Sequence, residues 1–402
     1  MARQMKDKGM DHVEMKRIFA LLLALTCLLA ACAPAEENSS VRSADGVSSH
    51  PLPSSAASSE QEPPPEATPE PSPEPEPEPE PVNDWEQDLP ENHGMDPVLL
   101  EQMRTALKDA PVYAVLTVKD GVIVDEYYQE GQDETSVFPF HSASKSVTSA
   151  LFGIALEEGA IGSVDDLLSD YLPQVLEQED AGKHALTLRH LLTQTSGLEW
   201  YEWGGSYSNW GEFRSAENWV DYILGRSLVS EPGSAFNYST GNTHLLAAAL
   251  EQATGKNLFD YAKEKLFVPM GMDSVIWGTD PQGIADGGNG VVMSARDAAK
   301  FGQLFLEGGV WNGQQLVPAD WVSESTAAKN NGAGDSTGAY GYQWWIRSFD
   351  GCDTFYAFGA WGQYIFVVPE LELVTVIASP GPQNSYASRN YFISYILPAC
   401  HG

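Results

Sequence analysis

The stretch SVFPFHSASKSVTSALFG, residues 136–153, decides how the rest of the chain is read. It sets Ser142-Ala143-Ser144-Lys145, the only Ser-x-x-Lys present, between two Phe residues and the apolar start of a helix. A step of three residues in a helix turns about 300°, so the two side chains share one face within contact range. Ser142 falls in the first turn, where unpaired N–H groups and the helix dipole favour developing negative charge. Lys145 is followed by Val147, Leu151 and Ile154, which continue a buried face. Burial disfavours the ammonium, and a lysine so placed helps take the serine's proton, making a weak hydroxyl nucleophilic. Taken alone, the four residues are better read as a serine N-cap with a surface lysine.

The surroundings of this stretch are not uniform. The chain has 402 residues and a net charge of −34. Residues 15–32, MKRIFALLLALTCLLAAC, join two basic residues, an apolar run and small residues, the pattern of a secretory signal. Leu29-Ala30-Ala31-Cys32 resembles a bacterial lipobox, so Cys32 is expected to carry a lipid anchoring the protein to the membrane; cleavage near Ala31 or Ala33 is the alternative. Residues 33–90 carry fourteen Asp/Glu against Arg42 alone and end in alternating Pro-Glu. With almost no apolar residues such a segment does not bury enough surface to fold. Pro-Glu alternation favours polyproline II at about 3.1 Å per residue, so thirty residues reach roughly 90 Å. The expected organisation is a signal over 1–32, a disordered acidic tether over 33–92 and a folded domain over 93–402, extracytoplasmic and lipid-anchored.

About −23 of the charge falls on residues 91–402, which argues against nucleic acid or polyanionic polymers as partners. Cys352 and Cys400 could pair in an oxidising exterior or stay as separate thiols. No Cys-x-x-Cys and no His spacing suggests a metal, and no cofactor is expected. Periodicity predicts a helix over 97–109, a hairpin of 112–118 and 122–128, and a mostly helical stretch from Ser142 to about Gly341. Strands follow at 341–348, 354–358, 363–368 and 371–378, then a last helix at 389–397. The fold class expected is α/β of the α+β type. Its mainly antiparallel sheet is built from both ends of the chain and flanked by helices, with a helical lobe inserted.

Ser-x-x-Lys is the signature of serine β-lactamases and penicillin-binding proteins. LTLRHLLTQTSGL at 186–198, EPGSAFNYSTGNTHLL at 231–246, KLFVPMGMD at 265–273, GVVMSARDAAKFG at 290–302 and GAWGQYIFVVP at 359–369 resemble further motifs of that superfamily, in order. The resemblance covers about 93–397. Tyr-Ser-x-x-Asn-Thr and the Trp-rich loop are most similar to the 6-aminohexanoate-dimer hydrolase branch. The resemblance implies Ser142 as nucleophile, with Lys145 and Tyr238 as general base and the phenol deprotonated or sharing its proton with the lysine. It implies the backbone N–H groups of Ser142 and Gln363 as oxyanion hole, each such donor worth about 3 kcal/mol.

The departures concern the substrate. Thr240 stands where β-lactamases usually carry Asn, with Asn242 one turn beyond Tyr238. The third motif reads Ala360-Trp361-Gly362, without the Lys or His that helps hold a substrate carboxylate. Trp361 and Gly362 are therefore expected to line the substrate site. Residues 199–219 hold seven aromatic residues, and Tyr201 and Tyr207 are both candidates to meet the substrate; packing of a long loop is the alternative. Gln194, His190 and His244 are expected to be structural, Ser144 a small spacer, and His141 to point away from the nucleophile. The reading is a serine hydrolase for a small amide or ester. The alternatives are a penicillin-binding protein, D,D-carboxypeptidase or β-lactamase, and a tethered binding lipoprotein without activity. The sequence does not set the oligomeric state.

Overall fold

The computed structural model describes residues 85–202, 208–334 and 336–401. The signal, Cys32, nearly all of the tether and Tyr207 lie outside them.

Helix α1 (Pro97–Leu107) opens on the N-cap Asp96, whose carboxylate accepts from Val98 N, and buries Leu100, Met103 and Leu107. Strands β1 (Ala114–Lys119) and β2 (Val122–Tyr128) form the expected hairpin, with Asp120 and Gly121 both at positive φ, 54° and 82°. That is the tight turn whose twist matches the flanking strands. Strand β3 (Val137–Pro139) leads through a 3₁₀ turn, His141–Ala143, into helix α2 (Ser144–Glu157). Ser144 to Ala155 of α2 are all buried, so this helix is surrounded rather than amphipathic. Its hydroxyls are satisfied by loop carbonyls: Ser146 donates to Gln343 O (2.8 Å), Thr148 to Gly287 O (2.8 Å) and Ser149 to Tyr342 O (2.7 Å). Polar groups in a core need such partners.

Short helices follow: α3 (Leu188–Leu192), α4 (Trp210–Ser215) and α5 (Trp219–Leu224), then the long α6 (Thr240–Thr254). A small sheet joins β3 to β4 (Ile276–Trp277) and β5 (Val291–Ser294), ahead of helix α7 (Ala295–Leu306). The hairpin β6 (Val310–Trp311) and β7 (Gln314–Gln315) precedes the closing strands. These are β8 (Asn330–Gly334), β9 (Gly338–Tyr340), β10 (Trp345–Phe349), β11 (Cys352–Gly359), β12 (Gln363–Val368) and β13 (Leu373–Ala378). The main sheet runs β2-β1-β13-β12-β11-β10-β9-β8, so both ends of the chain build it. The pairings β1–β2, β1–β13 and β8 through β13 are all antiparallel. The α+β architecture with an inserted helical lobe is what the sequence implied.

Two local expectations need correction, and the open choice for the two cysteines is decided. Strand 341–348 begins only at Trp345, because Gln343 sits in the left-handed region at φ 67° and turns the chain. The stretch from Ser142 to Gly341 is helical in its lobe but contains β4 to β9; β8, NNGAG, pairs through backbone and has no apolar alternation. Cys352 and Cys400 are free thiols, Cys352 Sγ lying 3.5 Å from His401 Nε2, and burial pushes the Cys400 thiol up to about 11.

Candidate active site

Ser142 lies in the 3₁₀ turn ahead of α2. Backbone bonds hold that turn in place: Phe140 N donates to Val291 O (3.0 Å) and Ala143 N to Phe140 O (3.0 Å). Ser144 is more than a spacer. Its Oγ donates to His141 O (2.6 Å) and accepts from Val291 N (2.9 Å), stapling the turn to β5. His141 sits at φ 48°, a conformation uncommon for a side chain with Cβ and worth reading as functional.

Lys145 is buried, and its ammonium has three acceptors: Ser142 Oγ at 3.0 Å, Thr240 Oγ1 at 2.9 Å and Gly288 O at 2.8 Å. Burial lowers its pKa to about 8, against the opposing charges of Glu202 and Asp286. Gly288 reaches the lysine because it lacks a side chain; an added Cβ would stand 2.7 Å from Thr240 Cγ2 and 2.9 Å from Thr240 O. Tyr238 is buried, hydrogen-bonded to Ser142, stacked on Trp345 and placed with Lys145 Nζ 4.8 Å from its ring centre. Burial and then the Glu202 charge push its phenol well above the ordinary tyrosine range. Burial thus disfavours a free Tyr238 phenolate, and Lys145, whose pKa lies nearer neutrality, is the more readily deprotonated of the two.

Gln363 opens β12 opposite Gly359, whose missing Cβ leaves room for Phe140 O; an ideal Cβ would stand 2.1 Å from that oxygen. This close approach puts the start of β12 beside the nucleophile turn. The Gln363 side chain is a clamp, donating to Ser379 O (2.7 Å) and accepting from Ser379 N (3.0 Å). Trp361 and Gly362 both have positive φ, 64° and 94°, and Gly362 O accepts from Ser379 Oγ and Ser388 Oγ.

A cleft of about 290 Å³ opens on Ser142, walled by His141, Glu202, Ser208, Trp210, Asn289, Ala360 and Trp361. Of the expected substrate contacts, Trp361 is there, 38% exposed and edge-on to His141 at 4.8 Å. Tyr201 is exposed, bonds Glu199 Oε1 (3.2 Å), and is not on the cleft wall. Asn242 is not there either: it is buried, its Nδ2 donating to Gln194 Oε1 (3.1 Å). Gln194 also bonds Ser239 N, Thr243 Oγ1 and Gln343 Oε1, so it braces the start of α6. His190 completes a capping box with Thr187, and His244 bonds Asp280 inside the lobe.

His141 faces the cleft rather than away from it, hydrogen-bonded to Asn289 and held below the ordinary histidine range by burial. Sequence reasoning also passed over Glu202, Asn289 and Gly288. The run Asp-Gly-Gly-Asn-Gly at 286–290 was a signal for the last two, since successive glycines mark a close backbone approach.

The β-lactamase family model matches residues 100–396. The chain belongs to the β-lactamase family. Its β-lactamase-type domain is 24% identical over 300 residues to the 6-aminohexanoate-dimer hydrolase of Paenarthrobacter ureafaciens, covering 70% of this chain and 76% of that one. It is 36% identical over 142 residues to penicillin-binding protein 4* of Bacillus subtilis (strain 168), covering 34% and 30%. Among solved structures it is similar to a penicillin binding protein from Bacillus halodurans, with a TM-score of 0.61, 18% identity and coverage of 73% and 99%. The domain is a serine hydrolase of this broad type.

Proposed function

We propose that this β-lactamase-family protein is an extracytoplasmic, lipid-anchored hydrolase that cleaves a small amide or ester through an acyl-enzyme on Ser142. The observation that carries the chemistry is the buried Lys145, bonded to Ser142 Oγ at 3.0 Å with its pKa lowered to about 8. Neutral Lys145 takes the Ser142 proton as Oγ bonds to the substrate carbonyl carbon. The resulting oxyanion is received by the backbone N–H groups of Ser142 and Gln363. Collapse breaks the bond to the leaving amine or alcohol, which takes its proton from the Lys145–Tyr238 pair; the neutral phenol suits that donation. Water then adds to the acyl-enzyme, gives its proton to the same pair, and the acid leaves as Ser142 regains its hydrogen.

The described cleft wall contains no Lys or Arg, and burial disfavours the charged form of His141. A substrate carboxylate has no cationic partner there, so a neutral acyl group suits the site better than a β-lactam or a peptide C-terminus. Trp361 and Trp210 supply apolar walls. The experiment is turnover of p-nitrophenyl butyrate beside nitrocefin, with Ser142→Ala as control. Butyrate turnover without nitrocefin turnover, lost in Ser142→Ala, supports the proposal. Rapid nitrocefin hydrolysis moves the assignment to a β-lactamase, and an unchanged rate in Ser142→Ala sinks the acyl-enzyme altogether. For the anchor, Cys32→Ser should shift the protein from the membrane fraction to the soluble one; retention on the membrane would reject it.

A further inference from the structure

The cleft wall holds a carboxylate that this scheme does not use. Glu202 Oε1 accepts from Thr240 Oγ1 at 2.5 Å, while Oε2 accepts from Thr240 N at 2.8 Å and Trp200 Nε1 at 2.5 Å. Thr240 Oγ1 in turn accepts from Lys145 Nζ. A hydroxyl has one proton. That of Thr240 is committed to Glu202, so toward the lysine it offers a lone pair only. Gly288 O likewise only accepts. When Lys145 is neutral its two N–H groups are drawn to Thr240 and Gly288. Its lone pair is then left facing Ser142, the one of the three partners with a proton to give.

We propose that Glu202 is a positioning residue that sets the direction of hydrogen bonding around Lys145, by turning the Thr240 proton away so that the lysine lone pair is delivered to Ser142. This rests on the acyl-enzyme reading above. The other groups facing Lys145 are Tyr238 from the segment before α6 and Asp286 from the loop before β5. Asp286 is itself paired with Arg214 of α4 at 2.6 Å and faces His244 of α6. Glu202 and Asp286 both favour the charged lysine, against burial. Glu202 therefore does two separable things: it raises the proton affinity of Lys145 and it orients the lone pair.

Glu202→Gln removes both, and each loss has its own readout, the plateau rate for orientation and the acid limb for proton affinity. Two N–H donors meet Oε2 and only the Thr240 hydroxyl meets Oε1, so the amide oxygen takes the Oε2 place and the NH₂ group faces Thr240. The hydroxyl must then accept from the amide and point its proton at Lys145, competing with Ser142 for the lone pair. Losing the negative charge also lowers the lysine's proton affinity.

The test uses the full chain, with fluorophosphonate labelling of Ser142 followed by intact mass, and kcat and KM for p-nitrophenyl butyrate, from pH 5 to 10. Glu202→Gln should lower kcat and the labelling rate about ten- to hundredfold on the plateau. KM should stay within about twofold, and the acid limb should move down by about one pH unit. Thr240→Ser should keep the parent profile, whereas Thr240→Val should repeat the rate loss. If Glu202→Gln does not fold, the Thr240 pair decides. An unchanged rate or an unmoved limb in Glu202→Gln, or Thr240→Val behaving like Thr240→Ser, overturns the inference. Failure of the parent protein to label at Ser142 instead overturns the acyl-enzyme reading on which it rests.

Discussion

Lys145 is held charged only against its surroundings. Its pKa falls from 10.5 to about 8, a penalty of about 3 kcal/mol on the ammonium at neutral pH. With the neutral amine as the proposed base, kcat/KM should rise about tenfold per pH unit below 8 and level off above it. A profile already flat at pH 6 would remove Lys145 from the role. Lys145→Arg keeps the charge but has no accessible neutral form, so it should lose about 10³-fold or more in rate while staying folded. The same shift sets a stability window. Between pH 8 and 10.5 the unfolded chain holds a proton that the folded one has released, so stability rises with pH across that range. Against Lys145→Met, the parent protein should gain about 3 kcal/mol between pH 7 and 10.5 in denaturant titrations. A constant difference would show that the lysine is not depressed.

Gln343 joins the elements that must stay in register for the site to exist. Its Nε2 donates to Leu191 O (3.0 Å) and Leu192 O (2.8 Å) at the end of α3, and its Oε1 accepts from Thr243 Oγ1 of α6 (2.7 Å). Gln343→Leu takes a donor from Leu192 O and the acceptor from the Thr243 hydroxyl in the core, while Leu191 O keeps Gln194 N, and should cost about 3 kcal/mol in urea denaturation. A loss under 1 kcal/mol would show that the lobe and the sheet are held elsewhere. This element also marks where sequence reading stops. Strand β12 matches its predicted span because it is apolar and buried on both faces, a pattern visible in six letters. Gln343 interrupts an equally apolar run through one left-handed dihedral, and no periodicity records a dihedral. In the site, Ser142 and Lys145 were legible because a three-residue step is local, and Tyr238 because its motif resembles a known one. Glu202 was not: it meets Thr240 across 38 residues, through a loop whose return no spacing encodes.

At the scale of the whole molecule, described packing begins at Trp85, inside the span 33–92 expected to be tether. Trp85 packs edge-on to Trp311, Gln87 bridges Ile123, and Asp96 N donates to Ala399 O, with Met95 buried between. Deleting 33–84 should leave melting temperature and butyrate turnover unchanged within error, since its acidic, Pro-rich composition offers little apolar surface to bury. Deleting 33–95 should cost about 2–3 kcal/mol through the buried Met95 alone and be visible in thermal melts. Equal stability of the two deletions would place the boundary later. The order of assembly along the sheet has a consequence in time. Ser142 and Lys145 are synthesised early, but Gly288, which fixes the lysine, comes some 140 residues later, and Gln363 some 220 later. β1 finds its central neighbour only when β13 has been made. Such distant pairings form slowly and after the whole chain is present. An incomplete chain therefore carries a nucleophile with neither an oriented base nor an oxyanion hole. The protein stays chemically silent while it is being made and becomes reactive only once its last strand is in place.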